Sequence, residues 1–139
     1  MAARRPGPEL CVGAVVVDRG RLLLVRRANP PAAGRWSIPG GRVELGERMA
    51  TAVERELAEE TGLRGRCGDL IGWVERTDPP HHYVIVDFRV GLIDPPEAAT
   101  AGDDAAEVAW VALGDVAGHD LVPGLAGFLA DYGIIAGGS

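Results

Sequence analysis

Between Gly41 and Leu63 the chain reads GRVELGERMATAVERELAEETGL. This stretch limits the possible folds more than any other, because its apolar spacing calls for a helix while its charges work against one. Wound at about 100° per residue from about Glu47 to Thr61, it places Val53, Leu57 and Ala50 on one arc that can pack against a core. Glu56, Glu59 and Glu60 fall on the adjoining arc, within roughly 100° of one another. Glu56 and Glu60 form an i,i+4 like-charge pair that costs roughly 0.2–0.5 kcal/mol. Glu59 and Glu60 also occupy the last turn, where the helix dipole disfavours an anion by about 0.3–1 kcal/mol each. A solvated acidic face gains nothing from such an arrangement. A hard divalent cation would turn the repulsion into coordination, since Mg²⁺, or Mn²⁺ in its place, takes carboxylate oxygens, keeps several waters and bridges to substrate phosphates.

Charge and composition narrow what could bind there. The net charge is −6, which argues against broad binding to nucleic acid or to anionic membranes through a phosphate backbone. A small phosphate ligand stays compatible if a metal supplies the positive charge. All 14 basic residues are arginines, so a Walker A loop and any lysine Schiff base are excluded. Hydrophobic residues make up 47% of the chain but form no run long enough for a transmembrane helix. The polar start MAARRPGPE lacks the apolar core of a signal peptide, and the expectation is a soluble, cytoplasmic protein. Cys11 and Cys67 are too few for a disulfide framework, so reduced, buried or half-buried thiols are expected.

At 139 residues one domain is expected, over residues 10–135, behind a flexible tail over 1–9. Leu10 to Val17 and Leu22 to Val25 read as strands around an Asp18-Arg19-Gly20 turn. Asn29-Pro30-Pro31 ends the second, and Ala32 to Gly46 reads as a Gly-rich loop leading into the helix. Gly62 stands where a helix C-cap belongs. Further strands are expected around Asp69 to Arg76, Tyr83 to Ile93 and Val108 to Ala112. In the second of these, Val84, Val86, Phe88 and Val90 line one face while Tyr83, Asp87 and Arg89 line the other. Asp94 to Ala106 is a long loop of the functional or disordered kind, and a helix near Pro123 to Tyr132 closes the chain. This order suggests an α+β fold with a mixed sheet between helices.

The residues Gly41, Glu47, Arg55, Glu56, Leu57, Glu59, Glu60, Gly62 and Leu63 satisfy the pattern G-x5-E-x7-R-E-U-x-E-E-x-G-U, with U a bulky aliphatic, at every fixed position. The chain thereby resembles the Nudix hydrolase family, which cleaves nucleoside diphosphates linked to another moiety. The resemblance implies an α/β/α sandwich with the motif as loop, helix and loop. It also implies Glu56, Glu59 and Glu60 as Mg²⁺ ligands, with the Gly40 carbonyl as a further oxygen ligand. Arg55 would orient a motif glutamate by a charge-assisted hydrogen bond, the alternative being a surface pair with Glu59. The general base is Glu56 or an acid of the later loop, where Glu97, Asp103, Asp104 and Glu107 are available. Glu47 either makes a water-mediated metal contact or favours the helix start.

Arg26, Arg27 and Arg35 are the candidates for substrate phosphate, since guanidinium forks suit phosphate oxygens. Trp36 either packs or stacks on a base, and His81, His82 and His119 are weaker ligand candidates. A small-molecule nucleotide is the expected substrate. The segments Leu24 to Pro31, the Trp36 loop and His82 to Phe88 resemble a short bacterial ADP-ribose pyrophosphatase subgroup, which favours ADP-ribose. Sanitising hydrolysis of oxidised nucleoside triphosphates is the alternative. A non-catalytic nucleotide-binding regulator is the reading of another class, although its usual mark, loss of motif glutamates, is absent. Members of the family are often dimers, and a homodimer is the corresponding expectation.

Overall fold

The structure is a computed structural model describing residues 7–137. The tail expected over residues 1–9 lies largely outside the described residues, and Glu9 already opens the first strand. Two four-stranded sheets share the eight strands. The first sheet has the order β5-β1-β7-β6 and comprises β1 (Glu9–Val15), β5 (Gly40–Arg42), β6 (Gly65–Arg76) and β7 (Tyr83–Leu92). β1 runs parallel to β7 and antiparallel to β5, and β6 pairs antiparallel with β7, so this sheet is mixed. In the second sheet β3 (Arg21–Arg27) is central. β8 (Ala105–Ala112) pairs along its length, and the short strands β2 (Val17–Asp18) and β4 (Trp36–Ser37) pair at its two ends. Each of these later pairings is antiparallel.

Two helices cover the strands on opposite sides. α1 (Met49–Thr61) buries Ala52, Val53 and Leu57 in a core shared with Val12, Ala14, Val16, Leu23, Leu63 and Val90. α2 (Leu125–Asp131) buries Leu125, Phe128 and Leu129 in a second core with Val15, Leu22, Leu24, Ile38 and Val111. The strands divide their side chains between the two as a period of two requires: Leu22 and Leu24 enter one core and Leu23 the other. In β7, Phe88 and Val90 meet the α1 side, as the alternation predicts. Each fully buried leucine contributes roughly 1.5–3 kcal/mol from removal of apolar surface.

The structure shifts several expected boundaries. The helix begins at Met49 and not near Glu47, because Gly46 holds φ at 80° and the Glu47 carboxylate turns back to accept the Glu44 N–H at 3.1 Å. Ala50, expected to pack, is exposed, and Ala52 takes the buried position. The stretch 32–46, expected to be loop throughout, contains β4 and β5, whose pairing with β3 and β1 satisfies backbone groups that a buried loop would leave unmet. β6 and β8 begin four and three residues earlier than expected, at Gly65 and Ala105. The helix ends where expected. Gly62 adopts φ 70°, and its N–H reaches the Ala58 carbonyl at 2.9 Å.

Candidate active site

The motif residues meet where the last two turns of α1 pass the edge strand β5. Close approach here depends on glycine: a Cβ at Gly41 would come within 2.5 Å of the Glu56 carboxyl carbon. One residue earlier, the Gly40 N–H donates to Glu60 Oε2 at 3.1 Å. Arg55 joins the remaining acids. Its Nε and Nη2 donate to the two oxygens of Glu47 at 2.8 and 2.9 Å, and its Nη1 donates to Glu56 at 2.8 Å and Glu59 at 3.2 Å. Nη2 also donates to the Arg42 carbonyl at 3.0 Å, tying the helix to the end of β5. One guanidinium thus holds three carboxylates and a carbonyl, which only its planar fork of five donors allows.

The electrostatics follow from these partners. Hydrogen bonds from Arg55 and from the Glu44 N–H hold the Glu47 carboxyl down at about 2, so Glu47 is a standing counter-charge for the arginine. Burial pushes Glu56 above the ordinary carboxylate range against the pull of Arg55. Burial pushes Glu60 to about 8; the Gly40 N–H and the charge of Arg27 oppose the rise, while Glu56 and Asp104 add to it. Glu60 has no arginine partner of its own among the described residues, so the inner end of the site is short of positive charge. Its donor set is all oxygen, which suits Mg²⁺ or Mn²⁺ and disfavours soft metals. Among the described residues no three acids already converge as a chelate. The geometry gives the reason: Arg55 draws Glu56 and Glu59 toward itself, while Glu60 turns to Gly40. A cation would compete with Arg55 for the first two.

The later loop packs against the C-terminal end of α1. The N–H groups of Thr100, Gly102 and Asp103 donate to the carbonyls of Thr61, Glu60 and Glu59, satisfying groups a helix end leaves open. Asp103 and Asp104 are thereby brought to the glutamates, and Asp104 is fixed by the Asn29 amide at 2.9 Å. The other two candidate acids are engaged elsewhere: Glu97 meets Arg19 at 3.3 Å, and Glu107, expected in the loop, stands on β8 opposite Arg26 and meets it at 2.5 Å. Of the three arginines expected to face phosphate, Arg27 is near enough to Glu60 for its charge to be felt there. Its Nε donates to the Pro31 carbonyl at 2.7 Å. Arg26 points to Glu107, and Arg35 lies 3.8 Å from Asp120. Trp36 packs against the α2-side core, edge-on to His119 at 5.9 Å between ring centroids. His81 stacks on Tyr83, and His82 lies 3.4 Å from Glu75.

One polar residue that the sequence does not single out is Asp87. It is 3% exposed, and its Oδ1 has no hydrogen-bond partner among the described residues. Burial raises its carboxyl to about 6. An acid interrupting a Val/Ile/Phe strand was the available signal, but alternation alone assigns it to an ordinary polar face.

Comparison with known proteins bears on this site. Residues 7–132 match the NUDIX domain family. The chain is 34% identical over 111 residues to an ADP-ribose pyrophosphatase of Methanocaldococcus jannaschii, an alignment covering 78% of this chain and 64% of that relative's length. It is 32% identical over 139 residues to a Mycobacterium tuberculosis protein provisionally named 8-oxo-dGTP diphosphatase 2, covering 94% and 92% of the two. A solved NUDIX domain, that of Shewanella oneidensis NrtR complexed with ADP ribose, superposes with a TM-score of 0.79 at 26% identity, covering 94% of this chain and 88% of that one.

Proposed function

We propose, from the premise that this chain belongs to the Nudix hydrolase family, that it is a Mg²⁺-dependent pyrophosphohydrolase whose preferred substrate is ADP-ribose. The observation that carries the reading is the Glu60 carboxyl, half-buried beside Glu56 and Asp104 without an arginine of its own and anchored to the Gly40 N–H. Stability alone would not keep such a group. Glu56, Glu59, Glu60 and the Gly40 carbonyl would hold the cation. When bound, it neutralises charge on the phosphoryl oxygens and lowers the cost of forming a hydroxide nucleophile. Arg55 is a positioning residue: held by Glu47 on one side, it presents Glu56 and Glu59 on the other. Glu56, half-buried and approached by Arg55 through Oε1 only, is the proposed base, and it takes a proton from a water aligned with the scissile phosphorus. Asp103 and Asp104, on the loop that packs against the end of α1, are the other acids that would share that task. Arg27 supplies a guanidinium to the diphosphate oxygens.

The substrate choice is supported by the segments Leu24 to Pro31 and His82 to Phe88, by the relative named for ADP-ribose hydrolysis, and by the solved domain that binds ADP ribose. The M. tuberculosis relative supports oxidised dGTP as the second reading. Steady-state comparison of the two substrates, with products identified by mass, decides between them. ADP-ribose giving AMP and ribose 5-phosphate at the higher kcat/KM is the expected result. A preference for oxidised dGTP of more than about tenfold, roughly 1.4 kcal/mol of transition-state stabilisation, overturns the substrate assignment and leaves the hydrolase assignment standing.

A further inference from the structure

Asp104 is gripped from two sides by segments far apart in the chain. β3 and β8 pair residue for residue from Arg21↔Ala112 to Arg26↔Glu107, but the next pair is Arg27↔Ala105, so Ala106 is the extra residue of a bulge. Just past it the Ala28 N–H donates to the Asp104 carbonyl at 3.1 Å, and the Asn29 side-chain amide donates to Asp104 Oδ1 at 2.9 Å across 75 residues of sequence. Two consecutive residues thus hold Asp104 by its main chain and by its side chain. On the other flank the same loop is fixed to α1. The Gly102 and Asp103 N–H groups donate to the Glu60 and Glu59 carbonyls at 2.8 and 3.0 Å, and a Cβ at Gly102 would stand 2.0 Å from the Glu59 carbonyl oxygen. Asp104 therefore joins the strand end that carries Arg27 to the helix end that carries Glu59 and Glu60.

Stability does not account for this grip. Asn29 and Asp104 are both exposed, where a hydrogen bond between side chains competes with water and contributes little. Asp104 also holds φ at 62°, a left-handed backbone that glycine adopts freely and that other residues adopt at a cost. Residues kept in such torsions cluster where the placement of a side chain matters, and bulges beside active sites re-aim side chains. What the grip sets here is a carboxylate. Oδ1 accepts from Asn29, which leaves Oδ2 without a protein donor among the described residues, and the charge of Asp104 is felt at Glu60. Asp103 has its N–H bound to α1 but no side-chain partner among the described residues. Of the two loop acids, Asp104 is the one whose carboxylate has a fixed direction.

We propose that Asn29 is a positioning residue of this hydrolase, its amide orienting the Asp104 carboxylate so that Oδ2 accepts a hydrogen bond from the water that attacks phosphorus. The inference rests on the functional reading above and narrows the part given there to the loop acids to Asp104. Asn29 itself touches neither water nor substrate and acts through Asp104 alone. The contact it supports is made to the attacking water and not to the bound substrate, so its loss lowers kcat and kcat/KM together and leaves KM in place.

The test is a double-mutant cycle on wild type, Asn29→Ala, Asp104→Gly and the double variant, with thermal melts of each. Rates are taken on whichever of ADP-ribose and oxidised dGTP wild type cleaves faster. Asp104→Gly should lower kcat about a hundredfold, the low end of what a group handling the reacting water supplies. Asn29→Ala should lower kcat about tenfold with KM within about twofold, because the Ala28 N–H still holds the Asp104 main chain while the carboxylate swings free. In the Asp104→Gly background the same substitution should change kcat by less than about twofold, the mark of a residue that acts through another. Asn29→Gln, which keeps an amide donor, should recover part of the rate. All variants should melt within about 3 °C of wild type, with Asp104→Gly at or above it because glycine relieves the left-handed torsion. Wild-type kcat in Asn29→Ala, an equal loss with and without Asp104, or a loss that only follows a fall in melting temperature overturns this inference alone. Wild type inactive on both substrates with Mg²⁺ present overturns the functional reading, and this inference with it.

Discussion

Gly41→Ala separates folding from catalysis at the motif. The backbone at Gly41 is not left-handed, so alanine adds no torsional strain, and the whole effect is steric. The new Cβ would stand 2.5 Å from the Glu56 carboxyl carbon and 2.6 and 2.7 Å from its two oxygens. Ordinary contact begins at 3.4 Å, so the carboxylate must retreat by about 0.9 Å. It is the far end of a flexible side chain, and the stability cost should stay within about 1 kcal/mol, the range of a modest rotamer adjustment. Catalysis is less forgiving, because a displacement of about 1 Å at a reacting group can cost about 10²-fold. The expected result is a melting temperature within about 4 °C of wild type, a kcat lowered about a hundredfold and a higher Mg²⁺ requirement, read from rates across a Mg²⁺ titration. Wild-type kcat at the wild-type Mg²⁺ midpoint would refute the placement of Glu56 at the reacting centre. A collapse in melting temperature would show that the backbone and not the Glu56 side chain absorbs the clash.

Glu60→Gln should lower turnover by orders of magnitude while raising the melting temperature at neutral pH, because the native state there must hold a proton, at a carboxyl raised from 4.5 to about 8, that the unfolded chain has already lost, and glutamine carries no such cost; Glu59→Gln should lower turnover with little change in melting, its side chain being 44% exposed. Unimpaired rates in either variant contradict the ligand assignment. Asp87 makes stability fall as pH rises, since its carboxyl is raised from 3.8 to about 6 and the native state holds the proton longer than the unfolded one. Burial is the sole cause of that rise. The difference in unfolding free energy between Asp87→Asn and wild type should therefore grow by about 2–3 kcal/mol from pH 4 to 7, and a flat difference in urea titrations would show the acid to be solvated.

The helix, its C-cap and the order of the strands were legible because each has a local cause: apolar spacing for α1, left-handed backbone at Gly62, β-branched runs for β1 and β7. That Glu56, Glu59 and Glu60 share one face of α1 was legible from their spacing, but not the partner each meets, since Arg55 takes Glu56 and Glu59 while Glu60 turns to Gly40. What the sequence could not supply were contacts between distant segments. The short strands β4 and β5 carry Gly, Ser and Trp, and they become strands only because β3 and β1 offer open edges. Glu47 gave no sign that it is the bidentate partner of Arg55, eight residues away across a turn. Arg26, Arg27 and Arg35 look alike in sequence. Acids remote in sequence, Glu107 opposite Arg26 on β8 and Asp120 on a loop, occupy two of them and leave Arg27 nearest Glu60. Asp87 was hidden for the same reason, since its isolation arises from glycines on β1, β5 and β6.

The proposed function requires that the carboxylates at the end of α1 hold a divalent cation during the reaction. Its most direct measurement is the initial rate of ADP-ribose cleavage by chelator-treated wild-type protein as Mg²⁺ is restored. No activity without metal and a saturable rise to full rate on addition of Mg²⁺ are expected. Cleavage that proceeds undiminished in the presence of chelator would contradict it.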